Sequence, residues 1–399
     1  MAAMRIFICL LCALFGNLTS AWSQSKIATE GEIPIIAWFS VPPEETSLMR
    51  YQELKDAGIT YSLTMFPNVE DLAKALDIAH QAGIKIIASC PEIGRDTQKT
   101  VERLKHYPAL AGYLLRDEPP ASEFPGLAGW AKSIHAMDSE HFLYINLLPN
   151  YASAKQLGTP TYQEYVSTFA KEVPVEFLSF DHYPVVDDTL RPEWYQNLEI
   201  VSNAARSAGK PFWAFALAVP HFHYPIPTLA QLRLEVFSAL AYGAQGIQYF
   251  TYWTPLVDKN FQDGPITREG KRTDIYDRVK EVNSEIRGLS GVFLNARVIA
   301  VAHTGAEAPL GTKRLDKLPS PVESFSTSGG TVVSLLQKGN STFLVVVNQD
   351  YKQPIKLTIQ FQSDVKRVLK DGSLVPVKHH DQNNLVEDPG DVTIWTWAN

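Results

Sequence analysis

The sequence predicts an α/β protein: a closed (β/α)8 barrel followed by a small all-β sandwich. Three observations carry this expectation. Short apolar runs alternate with capped, amphipathic segments from Ile35 to Leu289, and such alternation implies right-handed βαβ units and a parallel sheet. Eight of these units fit in that span, at a spacing of roughly 24 to 35 residues, which favours a closed barrel over an open sheet. Beyond residue 330 the helical periodicity stops, and runs rich in β-branched residues follow one another across turn signals.

The elements follow in order. Ile35–Val41 reads as the first strand, and Ser47–Ala57 as a helix closed by Gly58. Ile59–Met65 is a strand. Asn68 caps a helix that places Val69, Leu72, Leu76 and Ala79 on one face and stops at Gly83. Ile84–Cys90 is a strand and Thr97–His106 a helix. Gly112–Glu118 is strand four, a buried run that ends abruptly in Arg116-Asp117-Glu118 before two prolines. Phe124–Met137, Thr161–Lys171 and Pro192–Ala208 are helices, with Phe142–Leu148 and Glu176–Tyr183 as the strands between them and Pro211–Val219 as strand seven. Thr228 and Gln231 form a capping-box pattern at the head of the next helix. Gly246–Trp253 is strand eight, and Asp274–Leu289 the last helix. The organisation is therefore a barrel over residues 30–294, a linker and first strand region over 295–330, and a sandwich over 331–399. Thr304–Ser328 contains no clear element.

Composition restricts the function classes. The net charge is −7, and there is no Lys/Arg run, so neither nucleic acid nor an anionic membrane is an expected partner. Residues 1–23 read as a secretory signal peptide: Arg5, an apolar stretch from Ile6 to Phe15, then Ala21-Trp22-Ser23 as the cleavage site. The protein is expected to be exported, with no membrane span in the rest of the chain. Removing the signal leaves Cys90 as the one cysteine, so stability rests on the core and not on disulfides. Asn340-Ser341-Thr342 matches a glycosylation acceptor, which matters only in a eukaryotic host. No Gly-rich phosphate loop follows the first strand, and no cofactor is expected. His379-His380 reads as a solvated turn, and the His221-x-His223 pair lacks a nearby carboxylate, so no metal site is expected.

In such a barrel the site forms at the C-terminal ends of the strands. Side-chain alternation then selects the inward residues: Glu118 with Arg116 on strand four, Tyr144 and Asn146 on strand five, Ser179, Asp181 and Tyr183 on strand six, and Trp38 and Ser40 on strand one. By the same alternation Asp117 has the opposite parity and is a positioning residue. Glu92 ends strand three. Tyr252 and Trp253 close strand eight, and His221 lies past strand seven as a candidate substrate hydrogen bonder. Each has a bland reading as well: Trp38 and Trp253 as barrel packing, Arg116 as a structural ion pair, His182 as a packed histidine.

The chain resembles the TIM-barrel glycoside hydrolases, in the clan that includes retaining β-galactosidases. Gly112-Tyr113-Leu114-Leu115-Arg116-Asp117-Glu118-Pro119 resembles that clan's strand-four motif, an Asn-Glu-Pro carrying the acid/base glutamate. Phe180-Asp181-His182-Tyr183-Pro184 is similar to its strand-six end. Gly243-Ala244-Gln245-Gly246-Ile247 followed by Tyr249-Phe250-Thr251-Tyr252-Trp253 is similar to its strand-eight entry and aromatic sugar platform, and the all-β tail to its accessory sandwich. Two departures stand out: Asp117 replaces the Asn, and strand seven, Phe212 to Val219, carries no acid where the clan places its nucleophile. Glu235 lies too deep in the following helix to substitute.

The resemblance implies an exported glycoside hydrolase acting on a poly- or oligosaccharide, with Glu118 as general acid/base. The second carboxylate stays open. Asp181 is the first choice, across the barrel and suited to an inverting base. Asp117 is the second, since an acid pair at strand four is similar to that of substrate-assisted enzymes. Glu92 is the third. Substrate contacts are expected from Trp38, Arg116, Asp117, Asn146, Tyr183, His221, Tyr252 and Trp253. Rival readings are a catalytically inactive barrel that binds glycans and, more remotely, a lyase or isomerase using Glu118 as base.

Overall fold

Eight parallel strands close on themselves in the order β1-β8-β7-β6-β5-β4-β3-β2. They are β1 Ile35–Trp38, β2 Tyr61–Leu63, β3 Lys85–Ala88, β4 Leu110–Asp117, β5 Phe142–Leu147, β6 Leu178–Phe180, β7 Phe212–Leu217 and β8 Gly246–Phe250. The structure is a computed structural model and describes residues 31–398; the expected signal peptide lies outside the described residues. The helices begin where side chains satisfy their free N–H groups. Asn68 accepts from Asp71 N at the head of Val69–Ala82, and Thr228 and Gln231 form a reciprocal capping box before Leu229–Ala241. Among the described residues no helix is long and apolar enough to cross a membrane.

The barrel interior is layered. At the bottom Trp213 stacks on Phe177 at 3.8 Å, with Phe142 edge-on at 5.6 Å. Two glycines on opposite strands make room for these rings. A Cβ on Gly112 would lie 2.2 Å from the Phe142 carbonyl, and one on Gly246 2.6 Å from the Trp213 ring. Trp38, Tyr144 and Phe215 form the next layer, with Trp38 5.8 Å from each of the other two. Above them lie Ser179, Asn146 and Gln248, all buried and polar. The apolar residues of opposite parity, such as Tyr113, Leu143, Ile145, Leu178, Ala214 and Ile247, pack outward against the helices in the main core.

The C-terminal domain has a six-stranded antiparallel sheet, ordered 297–303, 331–338, 341–348, 392–398, 365–368, 374–377, and a three-stranded sheet of 322–327, 355–361 and 383–387. Val333, Leu344, Val346, Leu357, Ile359, Phe361 and Trp395 fill the space between them. The strands Arg297–His303 and Val322–Thr327 lie in the stretch that the sequence suggests is mainly linker. Both are half-exposed and lack a clean apolar alternation. His379 and His380 are exposed and paired with Asp364 and Glu323. The domain is bound to the barrel by charge as well as packing. Lys370 reaches Glu285 at 3.0 Å and Asp391 at 2.7 Å, and Arg233 also engages Glu285. Near the mouth, Lys352 pairs at 2.8 Å with Asp188 on a short hairpin, residues 185–190, that follows β6.

Candidate active site

The mouth at the C-terminal ends of β4, β5 and β6 gathers three carboxyl groups around one amide. Simple alternation along β4 does not place them, because the strand contains a β-bulge. Leu114 pairs with Tyr144, but the next residue of β5, Ile145, pairs with Arg116, so Leu115 is an extra residue. Beyond the bulge the parity is reversed. Asp117 lies opposite inward-facing Asn146, and Arg116 opposite outward-facing Ile145. Two sequence expectations are corrected here. Asp117 belongs to the inward face, and Arg116 does not. The Arg116 guanidinium turns away to Glu123, with bonds of 2.9 and 3.1 Å, and its side chain is 51 % exposed.

Glu118 enters the mouth by a different device. Its φ is +48°, a left-handed conformation that costs a residue with a Cβ of order 1–3 kcal/mol. Its N–H is held by the Asn146 carbonyl at 2.9 Å. The strained residue is therefore anchored to the same position of β5 that carries the central amide.

Asn146 organises the cluster. Its Nδ2 donates to Asp181 Oδ1 at 3.0 Å and to Asp117 Oδ1 at 3.3 Å. Its Oδ1 accepts from Ser179 Oγ at 2.9 Å, which fixes the amide so that its donor side faces the acids. Ser179 in turn accepts from Gln248 Nε2 at 2.9 Å and touches the Tyr144 hydroxyl, which is also bonded to Gln248. This polar floor is closed and rests on the aromatic layers below. Gln248, an inward polar residue between Gly246 and Phe250 on β8, is a member that sequence reasoning missed; its parity was the available signal.

The carboxyls are held in an acidic, partly enclosed setting. Asp117 and Glu118 are exposed at the mouth, and Asp181 is half-buried. Burial raises the Glu118 pKa, the Asp117 charge raises it further, and a contact with the Asp181 carboxyl pulls it partly back. Burial raises Asp181 most, well above the ordinary carboxylate range, reinforced by the charges of Glu118 and Asp117 and opposed by Asn146. Asp117 is raised by burial against the bond from Asn146. Each of Glu118 and Asp181 shifts the ionisation of the other, so their protonation is linked. Asp181 sits on a strand one removed from β4, with β5 between, so the expected cross-barrel separation is replaced by a close group. Glu92 is half-buried just past β3, and its Oε2 has no hydrogen-bond partner in the protein.

An aromatic wall flanks the acids. Tyr183 stacks on Phe250 at 5.5 Å and meets Tyr224 edge-on at 5.8 Å. Phe250 approaches His221 at 5.9 Å, and His221 stacks on Phe261 at 4.5 Å. His221 Nδ1 donates to the Val219 carbonyl at 3.0 Å, and burial lowers its pKa, so the ring is a neutral part of the wall. The strand-eight platform expected from sequence is corrected. Tyr252 packs outward among the helices near Tyr276, and Trp253 is 1 % exposed under the Arg50 guanidinium. Trp38 is buried in the barrel against Tyr144 and Phe215. His182 is buried, with Tyr151 edge-on against it. Behind β7, Glu235 accepts from Leu217 N at 2.8 Å and is sealed from the mouth.

Among the described residues no group of His, Cys, Asp and Glu is arranged to hold a metal ion. A cavity of about 820 Å³ lies at the opposite end of the barrel, lined by Lys132, His135, Lys171 and Lys210, and has no part in the carboxylate cluster.

The fold and the site together define a (β/α)8 barrel with a carboxyl cluster at its C-terminal mouth. Residues 132–289 match the family model described as β-galactosidase, Glyco_hydro_42, a span that takes in β5 to β8 and begins after Glu118. Among solved structures, a GH42 β-galactosidase from G. stearothermophilus aligns over 92 % of this chain and 98 % of its own, with 9 % identity and a TM-score of 0.62. An α-amylase from Geobacillus thermoleovorans aligns over 92 % and 99 %, with 12 % identity and a TM-score of 0.54. A β-galactosidase from the psychrophilic Marinomonas ef1 aligns over 66 % of this chain, with 13 % identity and a TM-score of 0.50, and the chain spans 61 % of that enzyme's length. At these identities the likeness establishes the barrel fold. No curated protein matches the sequence. The chain's resemblance to TIM-barrel glycoside hydrolases is thus shared by a family model and by solved structures.

Proposed function

We propose that this protein is an exported glycoside hydrolase that cleaves a glycosidic bond in a poly- or oligosaccharide with Glu118 and Asp181. The observation that carries this reading is the set of three carboxyls around the Asn146 amide, at the barrel mouth and beside an aromatic wall. Glycoside cleavage needs one protonated carboxyl to give its proton to the leaving oxygen, and one ionised carboxylate to meet the positive charge developing at the sugar carbon. Burial raises both acids, the Asp117 charge raises Glu118 further, and the Glu118 and Asp117 charges raise Asp181, so the cluster holds a proton more readily than isolated acids do.

The two roles follow from placement. Glu118 projects from its left-handed turn over the open mouth and hands the proton to the leaving group. Asp181, oriented by Asn146, faces the reacting carbon. Inverting pairs stand roughly 6.5–9.5 Å apart to admit a water, and retaining pairs about 5–5.5 Å. Asp117 fixes Asn146 and adds the charge that keeps the dyad protonated. The signal-like N-terminus supports export, and the sequence resemblance and the family match support a glycan as substrate.

Glu118→Gln tests this against a glycan panel. The expected result is hydrolysis by the wild type and a loss of roughly 10²–10⁴-fold in kcat with binding retained. The second reading, a non-catalytic glycan-binding barrel, is favoured by the acid-free end of β7. Binding by a wild type that hydrolyses nothing on the panel would establish that second reading instead.

A further inference from the structure

The aromatic wall does not stop at the carboxyls. From Tyr183 and Phe250 it runs through His221 and Phe261 to Phe222, which lies 5.7 Å from His221 and 6.5 Å from Phe261, edge-on to both. Phe222 is 64 % exposed, an unusual setting for a ring of that size.

Its backbone makes the exposure more informative. Phe222 is the first central residue of a two-residue turn closed by Tyr224 N→His221 O at 2.8 Å, and its φ is +48°. Glycine adopts such a φ without strain at that turn position, whereas an aromatic residue there is a steric outlier. The turn is also braced: Asp187 N donates to the His223 carbonyl, and the Asp187 carboxylate meets His223 Nδ1, each at 3.0 Å. Chain stability gains nothing from a strained, solvent-exposed ring, and strain held in place by surrounding structure marks a functional position. Leu256 and Val257, also exposed beyond β8, are aliphatic and offer no flat face.

We infer that Phe222 is the outer end of an aromatic rib that binds a sugar ring remote from the scissile bond, so the preferred substrate is an oligosaccharide of several units and not a simple glycoside. The apolar face of a pyranose is the occupant that matches an exposed aromatic ring continuous, through four further rings, with an acid cluster. This inference rests on the carbohydrate reading of the mouth, but not on its catalysis.

The test separates the two. Glu118→Gln protein, which keeps oligomers intact, is titrated with a mixed array of α- and β-linked hexose oligomers of increasing length, with and without Phe222→Gly. Glycine suits the turn, so the second variant keeps its thermal midpoint. The expected result is an affinity that rises with length, and a loss on Phe222→Gly that is small for a disaccharide and about tenfold for a hexamer. Equal losses at every length, no loss at any length, or no binding to any oligomer would overturn the inference. A change in oligomeric state with unchanged binding would also overturn it, assigning the ring to self-association. Failure of the wild type to hydrolyse any oligomer, with the length-dependent loss intact, would overturn only the catalytic role of Glu118.

Discussion

Asn146→Ala isolates the electrostatics of the mouth. One amide nitrogen donates to Asp181 at 3.0 Å and to Asp117 at 3.3 Å, and these bonds pull against the burial that raises both acids. A hydrogen bond to an ionised group contributes about 1.5–3 kcal/mol, and a mouth open to water takes the lower end of that range. Since one pKa unit is about 1.4 kcal/mol, removing the donor moves the acidic limb of the pH–rate profile towards alkaline pH by about one unit. The sign is fixed: the bonds favour the charged forms, so their loss raises the pKa of the carboxylate that must be ionised for reaction. The assay is kcat/KM against pH for wild type and variant, on a substrate found with the glycan panel. A plateau that drops while the limb stays within about 0.2 units would refute the assignment of Asn146 as the group that sets the cluster's ionisation.

Three further outcomes follow from the same geometry. Glu235 is buried behind β7 with a pKa raised to about 8 by burial, so the folded state binds an extra proton between roughly pH 4.5 and 8 and loses about 1.4 kcal/mol of stability per unit of rising pH there. Glu235→Gln should therefore make the fall of unfolding free energy with pH shallower by about 1.4 kcal/mol per unit in that window; an unchanged slope would contradict the buried, protonated state. Arg116→Ala, which breaks only an exposed pair with Glu123, should leave kcat/KM within about twofold and cost no more than about 1 kcal/mol; a large KM effect would return Arg116 to the substrate. Gly112→Ala drives a Cβ to 2.2 Å from the Phe142 carbonyl and 2.5 Å from its ring, so urea denaturation should show a loss of about 3 kcal/mol; a neutral variant would mean that the lower barrel layer is loosely packed.

Much of this architecture is legible in the sequence, because hydrophobic period and capping chemistry are local signals. Asn68 and Thr228 announce their helices, and alternation places Tyr144, Asn146, Ser179 and Asp181 on the inner face. What could not be read are the features that break alternation. Leu114 and Leu115 are both apolar, so nothing in the pattern marks the second as a bulge, and the parity of Arg116, Asp117 and Glu118 comes out reversed. Glu118 still reaches the mouth, through a φ that no residue type advertises. Past Phe250 the chain leaves the strand, so the alternation that suggested a platform at Tyr252 and Trp253 no longer applies. Strands 297–303 and 322–327 lack a clean apolar alternation, so the sequence marks residues 295–330 only as a linker and first strand region.

The position of the second acid bears on chemistry more than its absence from β7 does. A carboxylate behind β7 exists in Glu235, but its bond to Leu217 N and its burial keep it from the mouth. The acids gather instead on β4 and β6, neighbours on either side of β5, and β5 contributes an amide that cannot ionise. Burial raises the pKa of all three, the Asp117 charge raises Glu118 further, and the charges of Glu118 and Asp117 raise Asp181, so the last of them to ionise does so above the ordinary carboxylate range. This property follows from the bulge, the left-handed Glu118 and the shared Asn146 alone, whatever sugar occupies the mouth.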